Sequence, residues 1–395
     1  MEEEKTAWNS GSNERWRLTW ERKLNEWKTI PLNVAVIGYS GVGKSSFINA
    51  IRRLTPDDKG AADVGFMRDT RVDIKSYSHP NNPLLMFWDL PGVGTEFFPR
   101  RTYLYDINID RYDFFLLLSA GRFTENDIWL CNEFRIRNKQ YFFVRTKVGI
   151  DISNNKKAHP RTHNEDAVVR MIRESTEEHL RENGCDHVPV FLIDSYKPTK
   201  FDFNQLEYDI IEKVSHLKKT ALVLSLQATY GKMIQLKMKE LRSRMWKAAA
   251  LAGAVGLIPL PGVSVSLDIA VVSHEGWFYY TQLGLDEISL KRYAKFTSIN
   301  DRELQHIVKQ CLGLQVSGVE GFRGLVVELL KGAGPFVSCA AVAEGVKFLP
   351  GVGSLIAAPL YFAGTQYALN HVLVKMESAA LEVIQFAAIN ADDED

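Results

Sequence analysis

The sequence predicts an α/β protein, a mostly parallel sheet with helices on both faces, joined to an all-helical portion. Three observations carry that prediction. Residues 31–215 alternate short apolar runs with helical patterns, which is how parallel strands and their crossover helices read in sequence. Residues 216–395 keep helical periodicity and contain no persuasive strand run. Residues 1–30 hold four of the eight tryptophans, three of them on one helical face. A chain of 395 residues also exceeds one ordinary core, so two domains are the starting expectation.

The elements follow in order. Trp16, Trp20, Leu24 and Trp27 recur at helical spacing, predicting a helix from about Glu14 to Thr29 with Asn13 as its N-cap. Such an apolar stripe packs on a protein core more often than on a membrane. Val34–Ile37, Leu85–Trp88, Phe114–Leu118, Tyr141–Val144 and Val188–Ile193 are short apolar runs bounded by turn or polar residues, as buried strands are. The helical pattern between them is clearest at Glu165–Glu182. Further on, Leu304, Ile307, Val308, Cys311 and Leu312 keep helical spacing. Two segments, Ala248–Val272 and Ala333–Gly364, are apolar and rich in small residues, and each is broken by Pro-Gly. They read as helix–turn–helix hairpins, because Pro-Gly ends one helix and turns into the next. About 20 apolar residues would span a bilayer, but Pro259, Pro261 and Gly262 split the first segment and Asp268 would be costly at mid-depth. A core hairpin and a hairpin that loosens to enter a membrane shallowly are the two readings. The acidic end, Ala391–Asp395, is expected to be disordered.

Composition narrows the function. Apolar residues make up 46% and charged residues 24%, as in soluble globular proteins. Lys plus Arg equals Asp plus Glu at 48 each, so no net charge argues for nucleic acid and no basic run suggests a polybasic membrane anchor. Cys131, Cys185, Cys311 and Cys339 form no Cys-x-x-Cys pair, which fits free thiols in a reducing compartment. Residues 1–5 show no apolar run, so no signal peptide is expected. Glu2 stands where N-myristoylation needs Gly.

The chemistry is densest after the first apolar run. Gly38-Tyr-Ser-Gly-Val-Gly43-Lys44-Ser45 matches the phosphate-binding loop G-x-x-x-x-G-K-[ST], with a strand before it and a helix opening at Ser46. Glycines let backbone N–H groups close on phosphate oxygens, and the new helix adds its positive end. The residues assigned to the nucleotide here are Gly38, Ser40, Gly41, Val42, Gly43, Lys44, Ser45 and Ser46. Lys44 would reach the β- and γ-phosphates and Ser45 would ligate Mg²⁺. Asp89-Leu-Pro-Gly92 ends the run Leu85–Trp88, 44 residues after Ser45. Its carboxylate suits Mg²⁺, and the Gly92 N–H suits a γ-phosphate sensor. Thr70 lies between, in a polar stretch that reads as a mobile loop. Its hydroxyl is expected to complete the Mg²⁺ shell, with Thr55 as competitor. Lys44, Thr70 and Gly92 are thus the catalytic set, and Ser45, Thr70 and Asp89 the metal set. Val93 follows where Ras-type enzymes place a water-positioning Gln.

The base loop is less regular. Arg145-Thr146-Lys147-Val148 ends the run Tyr141–Val144. GTPases carry [NT]-K-x-D there, the Lys stem over the purine and the Asp accepting from guanine N1–H and N2–H₂. The fourth residue here is Gly149, with Asp151 two further on. Asp194-Ser195 follows the last strand, where a loop backs the base. Thr146, Lys147, Asp151, Asp194 and Ser195 are the base-side candidates.

Together these motifs resemble one family, the immunity-related, interferon-inducible GTPases. The resemblance rests on Gly38–Ser46, on Phe87–Gly94, on Tyr112–Phe115 with Ser119 and Ala120, and on Phe143–Val148. It continues into Arg181–Gly184, Phe191–Ile193 and Gly284–Leu290, and is most specific over residues 33–203. It implies a Ras-like P-loop GTPase domain over 31–215 and an all-α helical domain built from both chain ends, 216–395 with the 1–30 helix packed against it. It implies GTP or GDP as ligand, Mg²⁺ as cofactor, and slow intrinsic turnover. It also implies nucleotide-dependent self-assembly, and action on vacuolar membranes around intracellular pathogens by a cytoplasmic, peripherally bound protein. Lys44 places the chain with members that carry Lys rather than Met in the P-loop.

Three departures sharpen the expectations. Gly149 replaces the base-reading Asp, so GTP is expected to lose at least about tenfold in affinity and its advantage over ITP. Asp151 is the one rescue, through a shifted loop. Arg68 stands where members can carry a Glu used across a dimer interface, which bears on turnover. Glu2 leaves membrane contact to protein surface alone. The alternative to an assembling GTPase is a nucleotide-binding scaffold that hydrolyses little and reads the base loosely.

Overall fold

The computed structural model describes residues 22, 24–65, 74–121, 124–185, 188–255, 263–313, 322, 324, 339, 342–343 and 353–391. The chain divides into two compact units, Lys28–Leu226 and the pair Met1–Trp27 with Gln227–Asp395.

The first unit is a six-stranded sheet with helices. β1 (Leu32–Ile37), α1 (Lys44–Ile51), β2 (Lys75–His79), β3 (Asn82–Asp89), α2 (Tyr103–Asp106) and β4 (Phe114–Ser119) come first. α3 (Glu125–Ile136), β5 (Tyr141–Arg145), α4 (Val148–Ala158), α5 (Glu165–Glu182), β6 (Val190–Leu192), α6 (Phe203–Lys213) and α7 (His216–Ser225) follow. The strand order is β2-β3-β1-β4-β5-β6, and every neighbour pair is parallel except β2 with β3. Each of the five predicted apolar runs contains a strand, and β4 is buried along its whole length, as a strand covered on both faces must be. Phe115 stacks on Phe134 of α3 at 4.5 Å, while on the other face Phe114 meets Phe142 edge-on at 4.8 Å. β2, Lys75-Ser-Tyr-Ser-His79, went unpredicted because it is a polar edge strand, without the apolar alternation that marks a half-buried one.

α7 belongs with this sheet. Asn82 donates to the Ser225 hydroxyl at 3.0 Å, Asn81 to the Ser225 carbonyl at 3.2 Å, and Lys218 pairs with Asp113 at 2.6 Å. α1, which carries the P-loop Lys and Ser, is anchored to α6 by a buried ion pair, Arg53 to Glu207 at 3.0 Å.

The second unit is helical: α8 (Gly231–Val255), α9 (Val263–Gln282), α10 (Glu287–Thr297), α11 (Asp301–Leu312) and α12 (Gly353–Ala391). α12 packs along α8, α9 and α11. Leu24 and Trp27 are buried in the same unit, with the Trp27 ring 6.5 Å from that of Phe278. Both chain ends therefore build it. The expected helix Glu14–Thr29 ends as a 3-10 turn, Glu26–Thr29, and residues 1–21 lie outside the described ones. Helices flank the first Pro-Gly break, Gly231–Val255 before and Val263–Gln282 after. The break itself, most of the second hairpin, and residues 392–395 lie outside the described residues. Among the described residues no helix is long and apolar enough to cross a membrane.

Candidate functional site

The loops that leave β1, β3, β4, β5 and β6 at their carboxyl ends lie along one edge of the sheet, where open α/β folds bind ligands. The register aligns Val36 with Asp89, Leu118 with Val144, and Arg145 with Leu192. The P-loop, the Asp89 loop, the Thr146 loop and the Asp194 loop thus start side by side.

The P-loop has the shape its glycines permit. Gly41 and Gly43 have φ of 82° and 97°, a left-handed conformation that costs other L-residues about 1–2 kcal/mol each. Gly43 caps α1, whose first hydrogen bond runs from Phe47 N to the Gly43 carbonyl at 2.9 Å. Lys44 Nζ donates to the carbonyls of Gly38 at 2.9 Å and Tyr39 at 3.3 Å, which fixes the ammonium over the loop. Replacing Lys44 with Ala is expected to reduce the affinity for a non-hydrolysable GTP analogue at least about tenfold, since hydrogen bonds to charged groups contribute about 1.5–3 kcal/mol each. Unchanged affinity by calorimetry would sink the P-loop assignment.

Ser45 Oγ donates to Asp89 Oδ2 at 2.9 Å, and both side chains are buried. A hydroxyl and a carboxylate meeting at the mouth of the P-loop are the hard oxygen donors that Mg²⁺ takes. These two residues fit the ion. Thr55, one candidate for the third ligand, spends its hydroxyl and its N–H on Asp58 Oδ2 at 2.8 and 2.7 Å. Thr70 and Arg68 lie outside the described residues. Ala62, after Thr55 in the loop that follows α1, is held to that helix by Asn49, which exchanges two hydrogen bonds with it.

Gly92 lies against the P-loop backbone. A Cβ built on it would sit 3.3 Å from both the Gly38 carbonyl oxygen and Tyr39 Cα. Val93 points away into the core, 5% exposed, so it orients no water. The turn is held by Tyr103, whose hydroxyl donates to the Pro91 carbonyl at 2.7 Å. Burial raises that phenol's pKa, so it stays a donor.

Thr146 joins the base loop to the P-loop. Its hydroxyl donates to the Val42 carbonyl at 2.6 Å, and its N–H donates to the Ser119 carbonyl at 2.8 Å. Lys147 takes a left-handed φ of 62° at the start of α4, a strained setting of the kind concentrated at functional sites. Asp151, the expected replacement carboxylate, is ion-paired with Arg145, which also donates to the Thr146 carbonyl. Asp194 and Ser195 are half-buried. A Cβ built on Gly149 would collide with Asp194 Oδ2 and lie 3.3 Å from its Cγ. Tyr196, which no motif marked, is exposed and puts its hydroxyl 3.5 Å from Ser46 Oγ. The structure thus gathers the P-loop, Asp89, Gly92, Thr146, Lys147, Asp194 and Ser195, and directs Asp151 to Arg145.

A family model described as Interferon-inducible GTPase (IIGP) matches residues 6–316. Interferon-inducible GTPase 1 of Mus musculus is 35% identical over 286 residues, 72% of this chain and 69% of that protein. Interferon-gamma-inducible GTPase 10 of Mus musculus is 31% identical over 353 residues, 89% of this chain and 80% of that protein. Interferon-inducible GTPase 5 of Rattus norvegicus is 30% identical over 397 residues, spanning 100% of this chain and 83% of that protein.

Proposed function

This chain belongs to the interferon-inducible GTPase family, and from that premise we propose that it binds GTP with Mg²⁺ and hydrolyses it to GDP and phosphate. The observation that carries the proposal is the meeting of Ser45 and Asp89 at 2.9 Å beside a Lys44 ammonium poised over a glycine-shaped loop. That arrangement serves phosphoryl transfer, where the protein's work is positioning and charge stabilisation. Ser45 and Asp89 would hold the Mg²⁺ ion, which would supply charge neutralisation at the phosphates.

The chain's own residues do the rest. Backbone N–H groups from Ser40 to Ser46 hold the phosphates. Lys44 leaves the loop carbonyls for the β- and γ-oxygens and stabilises charge as the terminal bond breaks. The Gly92 N–H faces the γ-phosphate, and Thr146 keeps the base loop in register with the P-loop. Since Val93 is buried, the attacking water needs a group from outside the Asp89–Gly94 turn. Two features support slow turnover completed by a second copy of the chain: that burial and the family resemblance. The same resemblance supports nucleotide-dependent self-assembly and work on intracellular vacuolar membranes in innate defence.

The buried Val93 is equally what favours a second reading, a nucleotide-binding scaffold with little hydrolysis. Phosphate release measured across protein concentration, with and without vesicles, tests the choice. The specific activity is expected to rise with concentration, and triphosphate is expected to carry the protein onto vesicles in flotation. A flat, near-zero rate would favour the scaffold, and no flotation in any nucleotide state would remove the membrane.

A further inference from the structure

We propose that Asp194 reads the purine, its carboxylate standing where the side chain missing from Gly149 would begin. The proposal rests on the nucleotide-binding reading given above and names the residue that makes it specific for guanine.

The geometry is unusual in one respect. In the run Thr146-Lys147-Val148-Gly149 the fourth position is the second residue of α4, beside the base loop, and has no side chain to offer. The space that a side chain there would enter is filled by Asp194, because a Cβ at 149 would run into Oδ2 and lie 3.3 Å from Cγ. A carboxylate is therefore present at this point after all, supplied by the β6 loop instead of α4. The two arrangements exclude each other. A carboxylate on residue 149 would collide with Asp194 and repel it, and Gly149 is the residue that lets Asp194 in.

The carboxylate is also held. Asp194 Oδ1 accepts from the Tyr196 N–H at 2.9 Å, and the Asp194 carbonyl accepts from the Lys197 N–H at 3.1 Å. Ile193 N donates to the Arg145 carbonyl at 2.8 Å and Val148 N to the Ile193 carbonyl at 3.3 Å, so backbone bonds lace the two loops together. Oδ2 receives no hydrogen bond among the described residues. Asp151, the other nearby carboxylate, is engaged by the buried Arg145 guanidinium, which spans from Asp151 to the Thr146 carbonyl behind the loop. Turning Asp151 to a base would strip Arg145 of its carboxylate partner and leave it the Thr146 carbonyl.

The chemistry that fits such a group is a pair of adjacent donors. Guanine presents N1–H and the 2-amino group side by side, and a carboxylate accepts from both; with one oxygen shared by a backbone N–H it still has lone pairs free. Hypoxanthine lacks the amino group, xanthine carries a carbonyl in its place, and adenine offers an acceptor at N1. A fixed carboxylate at Asp194 selects guanine among these. Relaxed selectivity, expected from Gly149 alone, does not follow once Asp194 is in position.

Competition binding with GTP, ITP and XTP on the native chain, Asp194→Asn, Asp194→Ser and Asp151→Ala tests this. The native chain is expected to prefer GTP over ITP at least about tenfold, the scale of one hydrogen bond to a charged acceptor. Asp194→Asn should lose that preference and gain XTP, because the amide donates to the xanthine 2-carbonyl while its own carbonyl accepts from N1–H. Asp151→Ala should keep the native ratio. Three results overturn the proposal: a native GTP-to-ITP ratio near one, an Asp194→Asn or Asp194→Ser protein that still prefers GTP, or loss of the preference in Asp151→Ala alone. The native ratio needs no variant, and the serine variant stands in if the amide variant does not fold. Failure of the native chain to bind any of the three nucleotides would instead reject the nucleotide-binding reading, and this proposal with it.

Discussion

Replacing Arg244 with Met is expected to destabilise the helical unit by about 3–5 kcal/mol, the usual penalty for leaving one half of a buried ion pair alone. Arg244 on α8 grips Glu275 on α9 with two bonds, Nε to Oε2 at 2.7 Å and Nη2 to Oε1 at 2.8 Å. The side chains are 5% and 0% exposed. The third guanidinium nitrogen donates to the Leu24 carbonyl, and the guanidinium carbon lies 3.9 Å from the centre of the Phe278 ring. One side chain thus ties together α8, α9 and the N-terminal segment. Burial opposes ionisation of Glu275, but His274 and Arg244 outweigh it and hold its pKa below the ordinary value, with the Tyr279 phenol also facing it.

The sign of the pH dependence follows from that lowered pKa. A carboxylate lowered in the folded state contributes stability above its unfolded value, about 4.3 for Glu, and that contribution is lost as pH falls through the folded value. Without Arg244 the buried Glu275 is raised instead, so the gap between native and variant is expected to narrow as pH falls, first through the variant's raised value above about 4.3 and then through the native's lowered one. The double variant Arg244→Met with Glu275→Leu should recover much of the loss, because no charge is left uncompensated. Urea denaturation at pH 7 and at acid pH checks both. A single variant within about 1 kcal/mol of the native chain would mean that solvent or a rearranged partner serves Glu275.

What was legible in the sequence had local causes. β4 announced itself because a strand buried on both faces has to be apolar throughout, as Phe114–Leu118 is. The P-loop was readable because a phosphate cradle needs backbone conformations that glycine reaches, at fixed spacing from a strand and a helix. α5 was bounded correctly at Glu165 and Glu182, since Asn164 caps it, its side chain accepting from Ala167 N at 2.8 Å. What stayed hidden depends on contacts between distant residues. Nothing near Gly149 points to Asp194, and nothing near Asp194 points to Gly149. Their relation exists only after β5 and β6 pair in register. Asp151 looked like a spare carboxylate for the base until its ion pair with Arg145 assigned it elsewhere. No local pattern marks Arg244 and Glu275, and only the packing of α8 on α9 brings them together inside. β2 was missed because an edge strand is not obliged to be apolar.

Gly38→Ala is expected to weaken triphosphate binding about 5- to 150-fold, the range that about 1–3 kcal/mol of overpacking corresponds to. The reason is a collision. A methyl on Gly38 would run into the Leu118 carbonyl oxygen of β4 and lie 2.9 Å from Val42 Cγ2. Leu118 cannot step back, because β4 pairs with β5 on its other side, Leu118 with Val144. Val42 cannot move freely either, because its carbonyl accepts the Thr146 hydroxyl at 2.6 Å. Relief must therefore come from the P-loop itself. The Gly38 carbonyl is the point that Lys44 Nζ meets at 2.9 Å and that Gly92 lies against. Shifting it disturbs the lysine and the γ-phosphate sensor together. Gly41→Ala offers the contrast, since a Cβ there meets nothing within 4 Å and only the left-handed φ of 82° opposes it, at about 1–2 kcal/mol. The expected order of affinity for a non-hydrolysable triphosphate is native, then Gly41→Ala, then Gly38→Ala. The loss in Gly38→Ala should fall equally on GTP and ITP, because the base loop keeps its own carboxylate. Calorimetry with both nucleotides decides it: native affinity in Gly38→Ala would mean that the strand and the loop part without consequence for the phosphates, and a loss confined to GTP would mean that Gly38 acts through the base.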